Sequence, residues 1–145
     1  MTADGVNDLL NTRSGLLGVS GRSADMRELL RAEADGDARA HLAVEMFCYR
    51  VRKYIGAYIA VLGQPQAVVF GGGIGERSPQ VRRRICEPLA PLGLRMDAGR
   101  NAAIDGDGRF DAPGSPIAAY VIRSDEESII ARDTYTRLSR TGVTP

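Results

Sequence analysis

Gln66-Ala67-Val68-Val69-Phe70-Gly71-Gly72-Gly73-Ile74-Gly75-Glu76-Arg77-Ser78-Pro79-Gln80-Val81-Arg82 is the stretch on which the reading of the fold turns. Its first five residues, rich in β-branched and aromatic side chains, predict a short buried strand. Four glycines in the next five positions stop it. Ser78-Pro79 then predicts a helix start, with Ser as N-cap and Pro at the first helical position. Strand, glycine loop and helix together offer a phosphate backbone N–H groups and the positive end of a helix dipole. Glycine suits such a loop because it lacks a Cβ and lets a ligand approach the backbone. The Lys and Ser/Thr of a Walker loop are missing, and Gly71-x-Gly73-x-Gly75 is not the dinucleotide spacing. On these residues alone, a tight strand-to-helix turn without a ligand is an equal reading.

Length and composition narrow the class. With 145 residues the chain is expected to form a single domain, 1–145, able to bury most of its surface. A formal net charge of +1 argues against nucleic-acid binding driven by bulk electrostatics. All but one of the basic side chains are arginine, the exception being Lys53. Cys48 and Cys86 lie far apart and match no metal spacing, which predicts reduced thiols and a cytoplasmic setting. His41 is the single histidine, so a mechanism needing two from this chain is excluded. No apolar run is long enough for a membrane span and the N-terminus is polar, so neither a span nor a signal peptide is expected in these residues.

Away from the central stretch, residues 1–10 are expected to be turn-rich, with one helical turn at most. Residues 11–21 are expected to form a glycine-punctuated loop whose Leu16, Leu17 and Val19 plug a core. Ser23 is placed as the cap of a short helix, with Asp25 in its first turn. From Asp37 to Leu62 the positions Val44, Phe47, Val51, Ile55, Tyr58 and Leu62 follow steps of three and four, one apolar stripe on a long helix. Gly56, Ala57 and Ala60 suggest close approach of another backbone there. Val81, Ile85 and Leu89 continue a helix that Pro88 and Pro91 close. Arg82, Arg83 and Arg84 are expected on a solvated face. Residues 92–96 are read as a short strand and 101–115 as turns, the acidic Asp105–Gly108 segment lacking the Glu of a calcium loop. Residues 117–122 predict the second clear strand. Ser124-Asp125-Glu126-Glu127 has the form of a capping box opening a final helix, at a strand end where α/β sheets place ligands.

Four of these segments, in this order, carry a resemblance: Ser14-Gly15-Leu16-Leu17-Gly18-Val19-Ser20-Gly21 with Ser23-Ala24-Asp25-Met26-Arg27; Tyr49–Tyr58; Val69–Ser78; and Ser124–Glu127 leading to Ile130-Ala131-Arg132-Asp133-Thr134. Over about residues 9–138 the chain resembles the C-terminal domain of the acetate kinase (acetokinase) family. The resemblance implies an α/β fold, the ribonuclease H-like, actin-like ATPase domain of the sugar kinase–Hsc70–actin superfamily. It implies a phosphotransferase that moves the γ-phosphoryl of ATP, with Mg²⁺, reversibly onto a short carboxylate (acetate or propionate), giving an acyl phosphate and ADP.

The same resemblance assigns residues. The family's nucleotide loop falls on Gly73, Ile74, Gly75, Glu76 and Arg77, with Arg77 where the family has Asn. Its adenosine-side Asp-x-Arg element falls on Asp25, Met26 and Arg27. Its magnesium-associated glutamate falls on Glu126, with Asp125 in place of Asn. The family's N-terminal half, which supplies the groups around the transferred phosphoryl and the acyl pocket, has no counterpart here. The chain is therefore expected to be a piece of an enzyme, to lack efficient turnover alone, and to expose apolar surface that drives self-association. A homodimer is implied as well. The competing reading is a non-enzymatic nucleotide-binding or dimerisation module; the glycine spacing disfavours a dinucleotide-dependent oxidoreductase.

Overall fold

A computed structural model describes residues 1–140 of the chain, the side chains of Glu126 and Arg140 apart. Three strands form the sheet: β1 (Ala67–Phe70), β2 (Gly108–Arg109) and β3 (Ala118–Val121), in the order β1-β3-β2. β1 and β3 run parallel, with Ala67 opposite Ala118 and Phe70 opposite Val121, while β2 is antiparallel to β3. The two clear strands are present and the fold is α/β, but β1 is not the buried strand expected: only Phe70 is buried and Val69 is 53% exposed. Around the sheet lie helices α1 (Ala3–Thr12), α2 (Gly15–Ser20), α3 (Met26–Ala34), α4 (Ala38–Leu62), α5 (Gly72–Arg77), α6 (Pro79–Cys86), α7 (Ala98–Ala103) and α8 (Glu126–Arg140). One apolar cluster runs from Met26 and Leu29 through Val44 and Cys48 to Ile85, Phe110 and Val121.

The long helix α4 begins where the sequence places it, because the Asp37 carboxylate accepts from the amides of Arg39 and Ala40 at 2.9 and 3.0 Å. Its apolar stripe is buried only in the first half. Val44 is fully enclosed, whereas Tyr58 and Leu62 are 63% and 66% exposed. A Cβ at Gly56 would meet only Leu92 Cδ1, at 3.9 Å, so no described backbone approaches there. Cys48 is a core residue whose thiol is pushed up to about 11 by burial. Among the described residues no helix is long and apolar enough to cross a membrane.

Several local expectations are corrected. Residues 3–12 form a helix capped by Thr2 Oγ1, which accepts from Gly5 N, although none of its residues is buried. The expected loop at 11–21 contains α2. Gly15 opens the helix, Gly18 lies within it, and Gly21 ends it with φ +66°, a left-handed cap that glycine adopts cheaply. Leu16 and Val19 do pack on the core, and the Arg39 guanidinium donates to Val19 O, tying α2 to α4. Residues 92–96 give only an isolated bridge, Met96 with Asp111, and α7 and β2 lie within 98–109, where turns were expected. Residues 105–107 form the bend before β2, with Asp107 Oδ1 accepting from Arg123 N.

The largest correction concerns the three consecutive arginines. Arg83 alone faces solvent. Arg84 forms two bonds to the Glu33 carboxylate at 2.9 and 2.8 Å and meets Glu45 at 3.3 Å, joining α3, α4 and α6. His41 Nδ1, from α4, meets the same Glu33 at 2.6 Å. Arg82 is 1% exposed, inside the core. It stands three, four and seven residues before Ile85, Cys86 and Leu89, on the buried face of the α6 region.

Asp111 is a second buried ion, accepting from Arg109 at 2.6 and 2.8 Å and from Ala119 N at 3.0 Å. The Arg109 guanidinium first, and the Ala119 amide after it, hold its carboxyl below the ordinary range against the opposing effect of burial. Asp111→Ala is expected to lower the unfolding free energy at pH 7 by about 1.5–3 kcal/mol, the scale of hydrogen bonds to a buried charge. Because the folded pKa is depressed, that contribution is complete above about pH 4 and is lost as pH falls through the folded value. Urea titrations at pH 7 and in acid test this: the two proteins should converge as the pH drops.

Candidate functional site

β1 and β3 end side by side, with Ile122 N donating to Phe70 O at 3.0 Å, so the two turns that follow them are neighbours. The first is not an open loop. Gly71 is extended, Gly72 turns at φ +71°, and the next residues wind into the single short helix α5. Gly72 is the position that demands glycine, since a side chain in the left-handed region is strained. Ser78 ends α5 and caps α6, its Oγ accepting from Val81 N at 3.3 Å with Pro79 next, as the sequence predicts.

The start of α3 comes up to this turn from the other side. Asp25, Met26 and Arg27 join Gly73, Ile74 and Arg77 in lining one cavity of about 600 Å³. Leu30 and Ala34 add an apolar wall, and Arg31 adds a third guanidinium beside Arg27 and Arg77. Gly73 has open space where a Cβ would stand. Asp25, and not Ser23, is the N-cap of α3: its carboxylate accepts from Arg27 N at 2.8 Å and from the Arg27 side chain at 2.6 to 3.2 Å. Those bonds, the side-chain ones foremost, draw the Asp25 carboxyl down to about 2. Met26 reaches this wall from the core, only 3% exposed.

Glu76 and Gly75 are placed differently from their companions. Glu76 turns away from the cavity, and its Oε1 accepts from Gly72 N and Ser124 N, both at 2.8 Å, and from Ser124 Oγ at 2.9 Å. The Ser124 bonds, ahead of the Gly72 one, hold its carboxyl below the ordinary range. One carboxylate oxygen thus fastens the turn after β1 to the turn after β3. Gly75 faces the groove toward α4. A second cavity, about 610 Å³, opens beyond Glu76 and is lined also by Arg77, Asp105, Arg123 and Ser124. Arg77 borders both.

Ser124 is spent on Glu76, so the expected capping box does not form; Asp125 Oδ1 caps α8 by accepting from Ser128 N at 3.1 Å. Glu126 is the first residue of α8, two positions beyond the Ser124–Glu76 contact, and its side chain lies outside those described. Among the described residues no three His, Cys, Asp or Glu side chains gather as a metal cluster. The sequence missed Leu30, Arg31 and Ala34, whose only signal was their place one and two turns along the helix from Asp25 and Arg27. It also missed Arg82, which supports the turn from behind.

The sequence model of the Acetokinase family matches residues 1–132. The acetate kinase of Brachyspira hyodysenteriae is 51% identical over 135 residues, covering 93% of this chain and 34% of that protein. That of Syntrophobacter fumaroxidans is 51% identical over 137 residues, 93% of this chain and 33% of its own length. Among solved structures, Porphyromonas gingivalis acetate kinase superposes with a TM-score of 0.85 at 40% identity, over 95% of this chain and 35% of that one. A propionate kinase from Francisella tularensis does so with 0.82 at 36% identity, over 90% and 33%. The chain thus spans about a third of the length of these relatives. Matched in sequence over nearly all of its length, and in the packing of an actin-like α/β domain, the chain belongs to the acetokinase family.

Proposed function

We propose that this chain is the nucleotide-holding part of an acetokinase-type phosphotransferase, acting in the cytoplasm on a short carboxylate such as acetate or propionate. One observation carries the reading: the Asp25–Arg27 and Gly73–Arg77 segments, far apart in sequence, line one cavity. The residues fit ATP or ADP in kind. The apolar wall of Leu30, Ala34 and Ile74 suits a base, and Arg27, Arg31 and Arg77 suit phosphate oxygens. Gly73 leaves room for a ligand against the backbone.

In the reaction a carboxylate oxygen attacks the γ-phosphorus as the bond to the β–γ bridging oxygen breaks, leaving an acyl phosphate and ADP. Mg²⁺, when bound, neutralises charge on the phosphates, and it is commonly held by one or two carboxylates plus those phosphates. Glu126 is the carboxylate proposed here, two residues after Ser124, which lines the second cavity together with Glu76 and Arg77. The part of this chain is to orient the nucleotide, with Arg27 kept in place by Asp25 and the glycine turn by Glu76. The groups that receive the carboxylate and surround the transferred phosphoryl are proposed to come from a separate N-terminal domain. The exposed Tyr54, Tyr58 and Leu62 on α4 support a homodimer contact.

Calorimetric titration tests the reading. Mg·ADP is expected to bind saturably and NAD not to bind; absence of Mg·ADP binding, or equal binding of NAD, overturns it. Arg27→Ala is expected to weaken Mg·ADP on the order of tenfold, the scale of one lost charge-assisted contact. Acetate-dependent hydroxamate formation by this chain alone should stay far below kinase rates, and ordinary turnover would refute the proposed division of labour.

A further inference from the structure

Arg82 makes four hydrogen bonds in the core, and each goes to a neutral acceptor. Nε donates to Asn101 Oδ1 at 2.7 Å and Nη2 to Asn101 O at 2.9 Å, while Nη1 donates to both Gly75 O and Glu76 O at 2.8 Å. No carboxylate pairs with it among the described residues, and its guanidinium carbon lies 5.6 Å from the Phe110 ring centroid. Asn101, itself 3% exposed, is held in turn by donating to Pro79 O at 2.8 Å. Burying a charge without a counter-ion is costly, and an apolar side chain of similar size would fill the space without that cost. What a hydrocarbon cannot do is grip two successive carbonyls of α5, the last-turn acceptors that a helix leaves unpaired.

These carbonyls lie between Ile74 and Arg77, two residues that line the cavity. We propose that Arg82 is a positioning residue: its guanidinium clamps the C-terminal turn of α5 and thereby sets where Ile74 and Arg77 stand in the cavity. It touches no ligand and acts from behind the turn. The planar fork is essential, because one edge must reach the α5 carbonyls while the other holds Asn101; the single nitrogen of lysine keeps the charge but cannot span both. The consequence for nucleotide affinity rests on the function proposed above; the clamp itself does not.

Amide hydrogen exchange on the full chain, with Mg·ADP titration beside it, tests this. In Arg82→Lys the amides of residues 74–78 should exchange about tenfold or more faster, while those of α4 and β3 stay within about twofold of the parent. Asn101→Ala, which removes the anchor of the fork, should produce the same local signature to a smaller extent. Mg·ADP affinity should fall about fivefold or more in Arg82→Lys, with no change in the exposed control Arg83→Ala. Unaltered exchange at 74–78, or faster exchange there with unaltered affinity, overturns the proposal. So does an Arg82→Lys or Asn101→Ala protein that loses protection everywhere at once, since Arg82 would then hold the core and not the turn. If the parent chain binds no Mg·ADP, the proposed function fails, and the local exchange alone decides the clamp.

Discussion

A guanidinium that pairs with no acid among the described residues, enclosed between α5, α6 and α7, is the constraint from which the rest of the site follows. An isolated cation in an apolar interior is tolerated only when its donors are satisfied. Arg82 therefore dictates the position of every acceptor around it. The glycine turn must bring two carbonyls to it, α7 must bring Asn101, and Phe110 must lie against its face. Phe110 in turn meets Phe70 at 5.7 Å between ring centroids, which links the buried cation to the end of β1. Strand, turn and helix are thus locked by one side chain with bonds in both directions.

Two further ties complete the framework. Glu76 joins the turns that follow the parallel strands β1 and β3, the carboxyl ends at which open α/β sheets place their ligands. Glu33 joins the other flank, receiving Arg84 from α6 and His41 from α4, so that α3 is held at a fixed distance from the glycine turn. The cavity between α3 and α5 is the space left when both ties are made. Its lining mixes apolar Leu30, Ala34 and Ile74 with the cationic Arg27, Arg31 and Arg77, contributed by both α3 and α5.

Glu76 shows how a residue can belong to a motif and still turn away from the cavity that its neighbours line. Its place in the Gly73–Arg77 segment led to an expectation of nucleotide contact, yet its described oxygen contacts are internal and structural. The same applies to Ser124, which reads as a helix cap and instead serves Glu76. In both cases a polar side chain next to a turn has two candidate partners, one local and one remote. Here the remote contact supplies an amide and a hydroxyl from Ser124, and the same Glu76 oxygen keeps the local Gly72 amide as well.

The sequence by itself determined what depends on neighbours a few residues apart. The β1 strand, the Ser78-Pro79 helix start, the Asp37–Leu62 helix and the β3 strand were all legible, because periodicity and caps are set within one or two turns of chain. The four ordered segments also sufficed to point to the family. Only the tertiary structure decided that Arg82 is buried and Arg83 is not, that Asp25 and Gly73 face one cavity, and that Glu76 spans two turns. Each of those depends on a partner brought near by folding, such as Asn101 for Arg82 or Ser124 for Glu76. The free energy that selects a partner so distant in sequence exists only once the intervening helices have packed.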